Sequence, residues 1–230
     1  MLIDLGGTLV DYYTRAEFPA VLAESMAACR RLLAGRGIAV PEENVVLERA
    51  QAERHEGADL KVRPLEGRLA RVFFPGGPEP DAGIVRELCT VWLGPVFARA
   101  RRCEETIGVL EDLRRRGMAT AVVSNMPWGC PREPWDGELR QQGIAERMPH
   151  FVTCRDAGWR KPDRRIFDLA ARTVGVPPEA CLFVGDEPVW DVQGALAAGM
   201  RAVLVDRAGA HECPPGARRI GTLEDLPALI

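Results

Sequence analysis

The sequence predicts an α/β protein with a Rossmann-like parallel sheet core and an inserted, mostly α-helical cap. From about residue 104 onwards, apolar runs of strand length alternate with segments of helical periodicity, which is typical of a parallel sheet covered on both faces. Between about residues 15 and 102, apolar residues recur at helical spacing with almost no strand pattern. We therefore predict a core of residues 1–11 and 104–230, interrupted by a helical cap of residues 12–103.

The chain opens with a short apolar strand that ends at Asp4 and is followed by the pair Gly6-Gly7. Four helices are then predicted in the cap segment, at about residues 18–33, 41–50, 65–74 and 81–98. Glycine and proline mark their ends, as in the run 75–78. This block has the periodicity of helices that bury one face.

The elements of the core alternate in type. Strands are predicted at residues 119–123, 150–153, 180–184 and 201–205. Helices are predicted at residues 105–116, 137–143, 163–174 and 190–198, with a short final helix after Thr222. The proline-rich stretch 126–135 is predicted to be a loop.

Composition and charge narrow the classes of partner. The formal net charge of −3 over 230 residues argues against nucleic acid, and we interpret Arg101-Arg102 and residues 114–116 as solvated helix faces. No apolar run reaches transmembrane length and no leader precedes Asp4, so no membrane association is expected. The seven cysteines are an odd number without a C-x-x-C pair, which favours reduced thiols and a cytoplasmic location.

The most informative residue is Asp4, because a carboxylate at the end of a strand can act as a nucleophile. In open α/β folds, ligands bind beyond the carboxyl ends of the strands. Ser124 and Asn125 follow the predicted strand 119–123, so they belong to the same rim and can hold a phosphoryl oxygen. Lys161 stands just before a predicted helix, where its ammonium can neutralise both Asp4 and a phosphate dianion.

A further pair of carboxylates, Asp186 and Asp191, follows the predicted strand 180–184. With Asp4 they make an oxygen-rich site suited to Mg²⁺. Each of these residues alone has a simpler explanation, such as a turn or a helix cap. The prediction of an active site therefore depends on the four segments converging.

In order, type and context, these segments resemble the motifs of the haloacid dehalogenase-like (HAD) hydrolase superfamily. The matching segments are Asp4-Leu5-Gly6-Gly7-Thr8-Leu9, Val123-Ser124-Asn125, Lys161-Pro162 with Ile166-Phe167, and Val184-Gly185-Asp186 through Asp191. The helical insertion also matches the position of the common cap of that family.

The resemblance implies a Mg²⁺-dependent phosphatase that acts on a small phosphorylated metabolite. It implies that Asp4 is the nucleophile and forms an aspartyl-phosphate, while Ser124 and Lys161 position the transferring group. The expected substrate contacts are Ser124, Asn125, Lys161, Gly7 and Thr8. The implied metal ligands are Asp4, the carbonyl of Gly6, Asp186 and Asp191, the last directly or through water.

The sequence departs from the family pattern at Gly6. Most phosphatases of the superfamily have a second aspartate there, which acts as the general acid and base. A positioned acid or base typically contributes about 10²–10⁴-fold to the rate. Three explanations stay open: another residue, such as Asp11, Glu187 or a cap residue, takes over; the leaving group needs no proton; or the protein catalyses little.

The second explanation leads to an alternative function. The haloacid dehalogenases that name the superfamily also lack the second aspartate, use no metal, and attack carbon to expel halide. Trp190-Asp191 is similar to their last motif, whereas Gly185-Asp186 is similar to the metal-binding form. A catalytically silent binding protein is the third reading, and Gly6 is the feature that supports it.

Overall fold

A six-stranded parallel sheet with helices on its two faces forms the core of the computed structural model, which describes residues 1–54, 56–78 and 80–230. The strands are β1 (Leu2–Ile3), β2 (Val10–Asp11), β3 (Arg101–Arg102), β4 (Ala121–Ser124), β5 (His150–Thr153), β6 (Leu182–Gly185), β7 (Arg201–Val205) and β8 (Arg218–Ile220). The helices are α1 (Phe18–Gly35), α2 (Glu43–Ala52), α3 (Leu65–Phe73), α4 (Ala82–Phe97), α5 (Thr106–Arg115), α6 (Glu133–Gln141), α7 (Cys154–Ala157), α8 (Arg164–Val174) and α9 (Gly194–Ala197).

The strand order β5-β4-β1-β6-β7-β8 places the first strand in the middle of the sheet. Leu2 pairs with Ala121 of β4 on one side and with Phe183 of β6 on the other. Every residue of β4 and β6 is buried, as expected for parallel strands that are covered on both faces. The predicted α/β fold class is confirmed, and Asp4 follows the central strand.

Helices α1 to α4 lie between β2 and β3 in the chain. Strands β2 and β3 pair antiparallel, with Val10 opposite Arg102 and Asp11 opposite Arg101, so the chain leaves and re-enters the core at adjacent points. The helices bury apolar faces against one another, and α1 packs along α4. The division into a core of residues 1–11 and 104–230 and a cap of residues 12–103 stays a prediction.

Several local predictions were wrong. Arg101 and Arg102 lie in β3, not on a helix face. The loop predicted through residue 135 ends earlier, because Pro134 occupies the first turn of α6, where its missing N–H loses no hydrogen bond.

The helix predicted at 190–198 is a wider π-helical turn over Pro188–Gln193 that continues into α9. The edge strand β8 was not predicted, because Arg218 and Arg219 are exposed and only Ile220 is buried.

Within the described ranges, every helix is too short or too polar to cross a bilayer.

Candidate active site

A cavity of about 360 Å³ lies beyond the carboxyl ends of β1, β4 and β6. The four segments singled out in the sequence all line it, through Asp4, Ser124, Lys161 and Asp186. The opposite walls come from the inserted helical segment and include Phe18 and other cap residues. The convergence on which the sequence argument depends is therefore present in the structure.

A buried ammonium joins two of the carboxylates. Lys161 Nζ lies 2.5 Å from Asp4 Oδ1 and 2.5 Å from Asp191 Oδ1, and it also donates to the Val123 carbonyl at 3.2 Å. The three charged residues are at most 6% exposed. Although burial disfavours the charged form, the carboxylates of Asp191 and Asp4 raise the pKa of Lys161, so the ammonium stays charged. Burial raises the pKa of Asp4, and Lys161 opposes that rise.

The third carboxylate completes an oxygen cluster. Oxygens of Asp4, Asp186 and Asp191 lie within 4.8 Å of one another. The hydroxyl of Thr8 donates to Asp186 Oδ1 at 3.1 Å. Burial and then the nearby charge of Asp191 raise the pKa of Asp186 to about 7. Three carboxylates thus lie around the ammonium of Lys161, an excess of negative charge that a bound cation would offset.

Two glycines allow this close approach. At Gly7 the backbone φ is +81°, and a Cβ there would lie 2.2 Å from Asp186 Oδ2. At Gly185 a Cβ would lie 2.4 Å from Asp191 Oδ2. Any side chain at either position would displace a carboxylate of the cluster.

The remaining predicted site residues lie around this cluster. Asn125 makes two hydrogen bonds with the backbone of Lys161: its Oδ1 accepts from Lys161 N at 2.8 Å, and its Nδ2 donates to Lys161 O at 3.2 Å. Ser124 and Gly6 line the cavity. The geometry therefore makes Asn125 a residue that positions Lys161, while its contact with substrate stays a prediction.

A family model described as haloacid dehalogenase-like hydrolase matches residues 1–199. The chain belongs to this family of hydrolases. The resemblance that the four motifs indicated is thereby confirmed over most of the chain.

Similar proteins within the family carry out different chemistry. A phosphoserine phosphatase from Thermus thermophilus is 36% identical over 58% of this chain and 55% of its own length. A glyceraldehyde 3-phosphate phosphatase from Methanothermobacter thermautotrophicus is 36% identical over 48% of this chain and 47% of its own. The chain thus spans about half the length of these curated relatives.

One similar solved structure is that of a dehalogenase. A 2-haloacid dehalogenase from Pseudomonas syringae pv. Tomato has a TM-score of 0.72 at 25% identity, covering 99% of this chain and 96% of its own. Likeness of fold therefore does not separate the phosphatase from the dehalogenase reading, and the residues of the site must do so.

Asp11 and Glu187 were the two named candidates to replace the family's second aspartate, and of these two Glu187 lies at the cavity. Glu187 lines the cavity and is exposed. Asp11 lies in β2, exposed and outside the cavity lining.

Sequence reasoning missed an arginine that binds the loop after Asp4 in this HAD-like hydrolase. Arg207 donates to the carbonyls of Gly7 and Thr8, each at 2.9 Å, and is ion-paired with Glu105 at 2.8 Å. Arg207 lies just past the end of β7, at the same rim of the sheet. The sequence signal for Arg207 was its place just after a predicted strand, but none of the four motifs includes it.

The loop after β4 is anchored in the cap. Trp128 packs between two cap residues: the Arg68 guanidinium lies 3.8 Å from its ring centroid, and the Trp92 ring stacks on it at 5.6 Å. Arg68 also donates to the Trp128 carbonyl at 2.7 Å. Burial lowers the pKa of Arg68 to about 10, still far above neutrality, so the guanidinium remains charged.

We expect Trp128→Ala to lower the free energy of unfolding by about 3–5 kcal/mol, because it removes a large buried ring from between two partners. Urea denaturation followed by circular dichroism measures this loss. Trp159→Ala is the matched control, since the Trp159 ring is partly exposed. Its partner is the Arg165 guanidinium, which lies 3.6 Å from the ring centroid. An equal loss in both variants would contradict the anchoring role of Trp128.

A second contact joins the cap to the segment that precedes Lys161. Val62 N donates to the Gly158 carbonyl at 3.0 Å, and Arg160 N donates to the Leu60 carbonyl at 2.8 Å. The two stretches therefore form a short antiparallel ladder.

Side-chain ion pairs support this ladder on both sides. Arg160 pairs with Glu56 at 2.7 Å, and Arg155 forms a two-pronged pair with Glu66 at 2.8 and 2.9 Å. Each pair joins the cap to the core.

Proposed function

We propose that this HAD-like hydrolase is a Mg²⁺-dependent phosphatase of small phosphorylated metabolites, with Asp4 as its nucleophile. The observation that carries the proposal is the cluster of three carboxylates around the ammonium of Lys161, in the cavity beyond β1, β4 and β6. A nucleophilic carboxylate and a phosphate dianion repel each other, so positive charge must be held close to both.

The donor set fits Mg²⁺. It offers hard oxygen ligands in one cluster, and the excess of negative charge there calls for a cation. Asp191 uses one oxygen for Lys161 and the other to accept from Glu187 N at 3.1 Å. It is therefore suited to act through a water, whereas Asp4, Asp186 and the Gly6 carbonyl would hold the ion directly.

The chain's own residues account for the first chemical step. One oxygen of Asp4 attacks phosphorus while its other oxygen accepts from Lys161, which holds the carboxylate in place. Lys161 and Ser124 stabilise the charge on the transferring phosphoryl oxygens. Bound Mg²⁺ would add further neutralisation of that charge. Water then releases phosphate from the aspartyl-phosphate and restores Asp4.

The residues of the site support this reading over the dehalogenase one, whereas the relatives include both kinds of enzyme. A haloacid is itself an anion, and its carbon would have to reach Asp4 beside two more carboxylates. Asp186 has a natural role with a metal, and an unpaired carboxylate would destabilise a dry halide site.

We expect EDTA to lower p-nitrophenyl phosphate turnover by at least about 10²-fold, since a metal contributes several kcal/mol of charge stabilisation and 1.36 kcal/mol is tenfold in rate. Added Mg²⁺ should restore the rate. Initial rates with the protein dialysed against chelator, then titrated with Mg²⁺, measure this. Turnover that resists EDTA, together with chloride release from 2-chloropropionate, would establish the dehalogenase reading instead.

We also propose a cellular location and a partner for this activity. The seven cysteines are all free thiols, consistent with a reducing cytoplasm. A small metabolite is the expected partner, with no part for nucleic acid or membrane.

A further inference from the structure

An aromatic ring lies beside Gly6. A Cβ built on Gly6 would lie 3.8 Å from Cδ2 of Tyr12, in ordinary van der Waals contact. The family's general acid would act from this position, so the leaving oxygen here faces a ring.

Two further carboxylates line the cavity. Glu56 is ion-paired with Arg160 at 2.7 Å, and Glu187 is exposed. The nearest atom to a side chain at position 6 is a ring carbon of Tyr12, so the acid that the family places at this position is missing.

The wall around this position is aromatic. Tyr12 and Trp135 meet edge to face at 5.4 Å, Tyr13 and Phe18 lie 5.8 Å apart, and Phe18 lies 6.3 Å from Trp128. Trp128 and Trp135 are each only 2% exposed. Rings from separate segments thus hold one another in place, and the chamber is formed before any ligand arrives.

The missing acid at position 6 and the aromatic wall favour the same kind of substrate. A phenol is a far stronger acid than an alcohol, whose acidity resembles that of water. A phenolate therefore departs far more readily without an acid, and its flat apolar ring can pack against the aromatic part of the lining of this cavity of about 360 Å³.

We propose that the cavity takes aryl phosphate monoesters, with the phosphoryl group at Asp4 and the aromatic leaving group among Tyr12, Tyr13, Phe18, Trp128 and Trp135. This rests on the proposed phosphatase function. Asp4 forms a bond to phosphorus as the bond to the aryl oxygen breaks, and the electron pair leaves on the phenolate, which takes its proton from water. A second water hydrolyses the aspartyl-phosphate, so one ester and one water give one phenol and one phosphate.

The chemical arm of the test compares phenyl phosphate with methyl phosphate. We expect kcat/KM to favour phenyl phosphate by at least about 10²-fold, and the ratio to fall towards tenfold in Gly6→Asp, which restores an acid. Within substituted phenyl phosphates, kcat/KM should rise steeply as the phenol becomes more acidic. Equal rates on the two esters would overturn the proposal.

The recognition arm measures binding without turnover. We expect phenylphosphonate to bind the Mg²⁺-loaded protein at least about tenfold more tightly than methylphosphonate by calorimetry, from burial of the ring. Tyr13→Leu or Phe18→Leu should reduce that preference about three- to tenfold. Phe74→Leu makes the same change elsewhere on the cap, outside the cavity lining, and should leave the preference unchanged.

The two arms separate the possible failures. If no phosphate ester is hydrolysed but phenylphosphonate is still preferred, the phosphatase function fails while the aromatic ligand class stands. If esters are hydrolysed but the two phosphonates bind equally, the aryl class is overturned and the phosphatase function stands. If hexafluoroisopropyl phosphate, a non-aromatic ester whose alcohol is about as acidic as phenol, is hydrolysed as fast as phenyl phosphate, the cavity does not select rings and the proposal is overturned.

Discussion

Replacing Asp4 by asparagine is expected to lower phosphate-ester turnover by at least about 10³-fold, the scale seen when a covalent nucleophile is removed from an active site. An amide keeps the size of the side chain but is a poor nucleophile. Asp191 would remain 2.5 Å from Lys161, so the ammonium keeps one partner and the fold should persist. Initial rates with p-nitrophenyl phosphate and saturating Mg²⁺ measure the loss.

The matched control is Asp11→Asn, the same change at an exposed aspartate in β2 outside the cavity lining. Its turnover should stay within about twofold of the unmodified chain, on the usual scale of surface substitutions. Unchanged activity in a folded Asp4→Asn protein would mean that the measured phosphatase is a contaminant.

Gly6→Asp is expected to have the opposite effect and to raise turnover of alkyl phosphates by about 10²–10⁴-fold. The backbone φ at Gly6 is not in the left-handed region, and the nearest atom to an added Cβ is 3.8 Å away. The new carboxylate thus has room beside the leaving oxygen. It can protonate an alkoxide and afterwards activate water against the aspartyl-phosphate.

Gly7→Asp is the matched control for this gain. It adds the same side chain one residue later, at φ +81° and 2.2 Å from Asp186 Oδ2, and should abolish rather than raise activity. A folded Gly6→Asp protein with unaltered kinetics would show that proton transfer does not limit this enzyme. It would also remove the chemical half of the argument for aryl substrates.

The fold could be predicted because its strands are buried on both faces. Residues 150–153 and 201–205 are strands in the structure as in the prediction, since continuous apolar runs of that length favour few alternatives. The turn at Pro188–Gln193 could not be predicted from periodicity. In this turn the Asp191 side chain accepts two hydrogen bonds. One comes from Lys161, which is far away in the chain, and the other comes from Glu187 N, which is close in the chain.

The charged part of the site could be predicted for a related reason. Each charged residue alone could be a turn or cap residue, but several of them at strand ends predict a site, because parallel strands bring their carboxyl ends to one edge. The aromatic contacts could not be predicted in this way. Tyr12 and Trp135 are ordinary packing residues by type, and only the structure shows that Tyr12 lies beside Gly6 and meets Trp135 edge to face.

The short ladder between Leu60–Val62 and Gly158–Arg160 couples cap position to reactivity. Lys161 is the next residue after that ladder, with no intervening flexible linker. A movement of helices α1 to α4 that preserves the ladder would draw the Lys161 ammonium away from Asp4. A movement that leaves Lys161 in place would break the two backbone hydrogen bonds of the ladder. The placement of the ammonium beside Asp4 therefore depends on where the helical segment sits on the sheet.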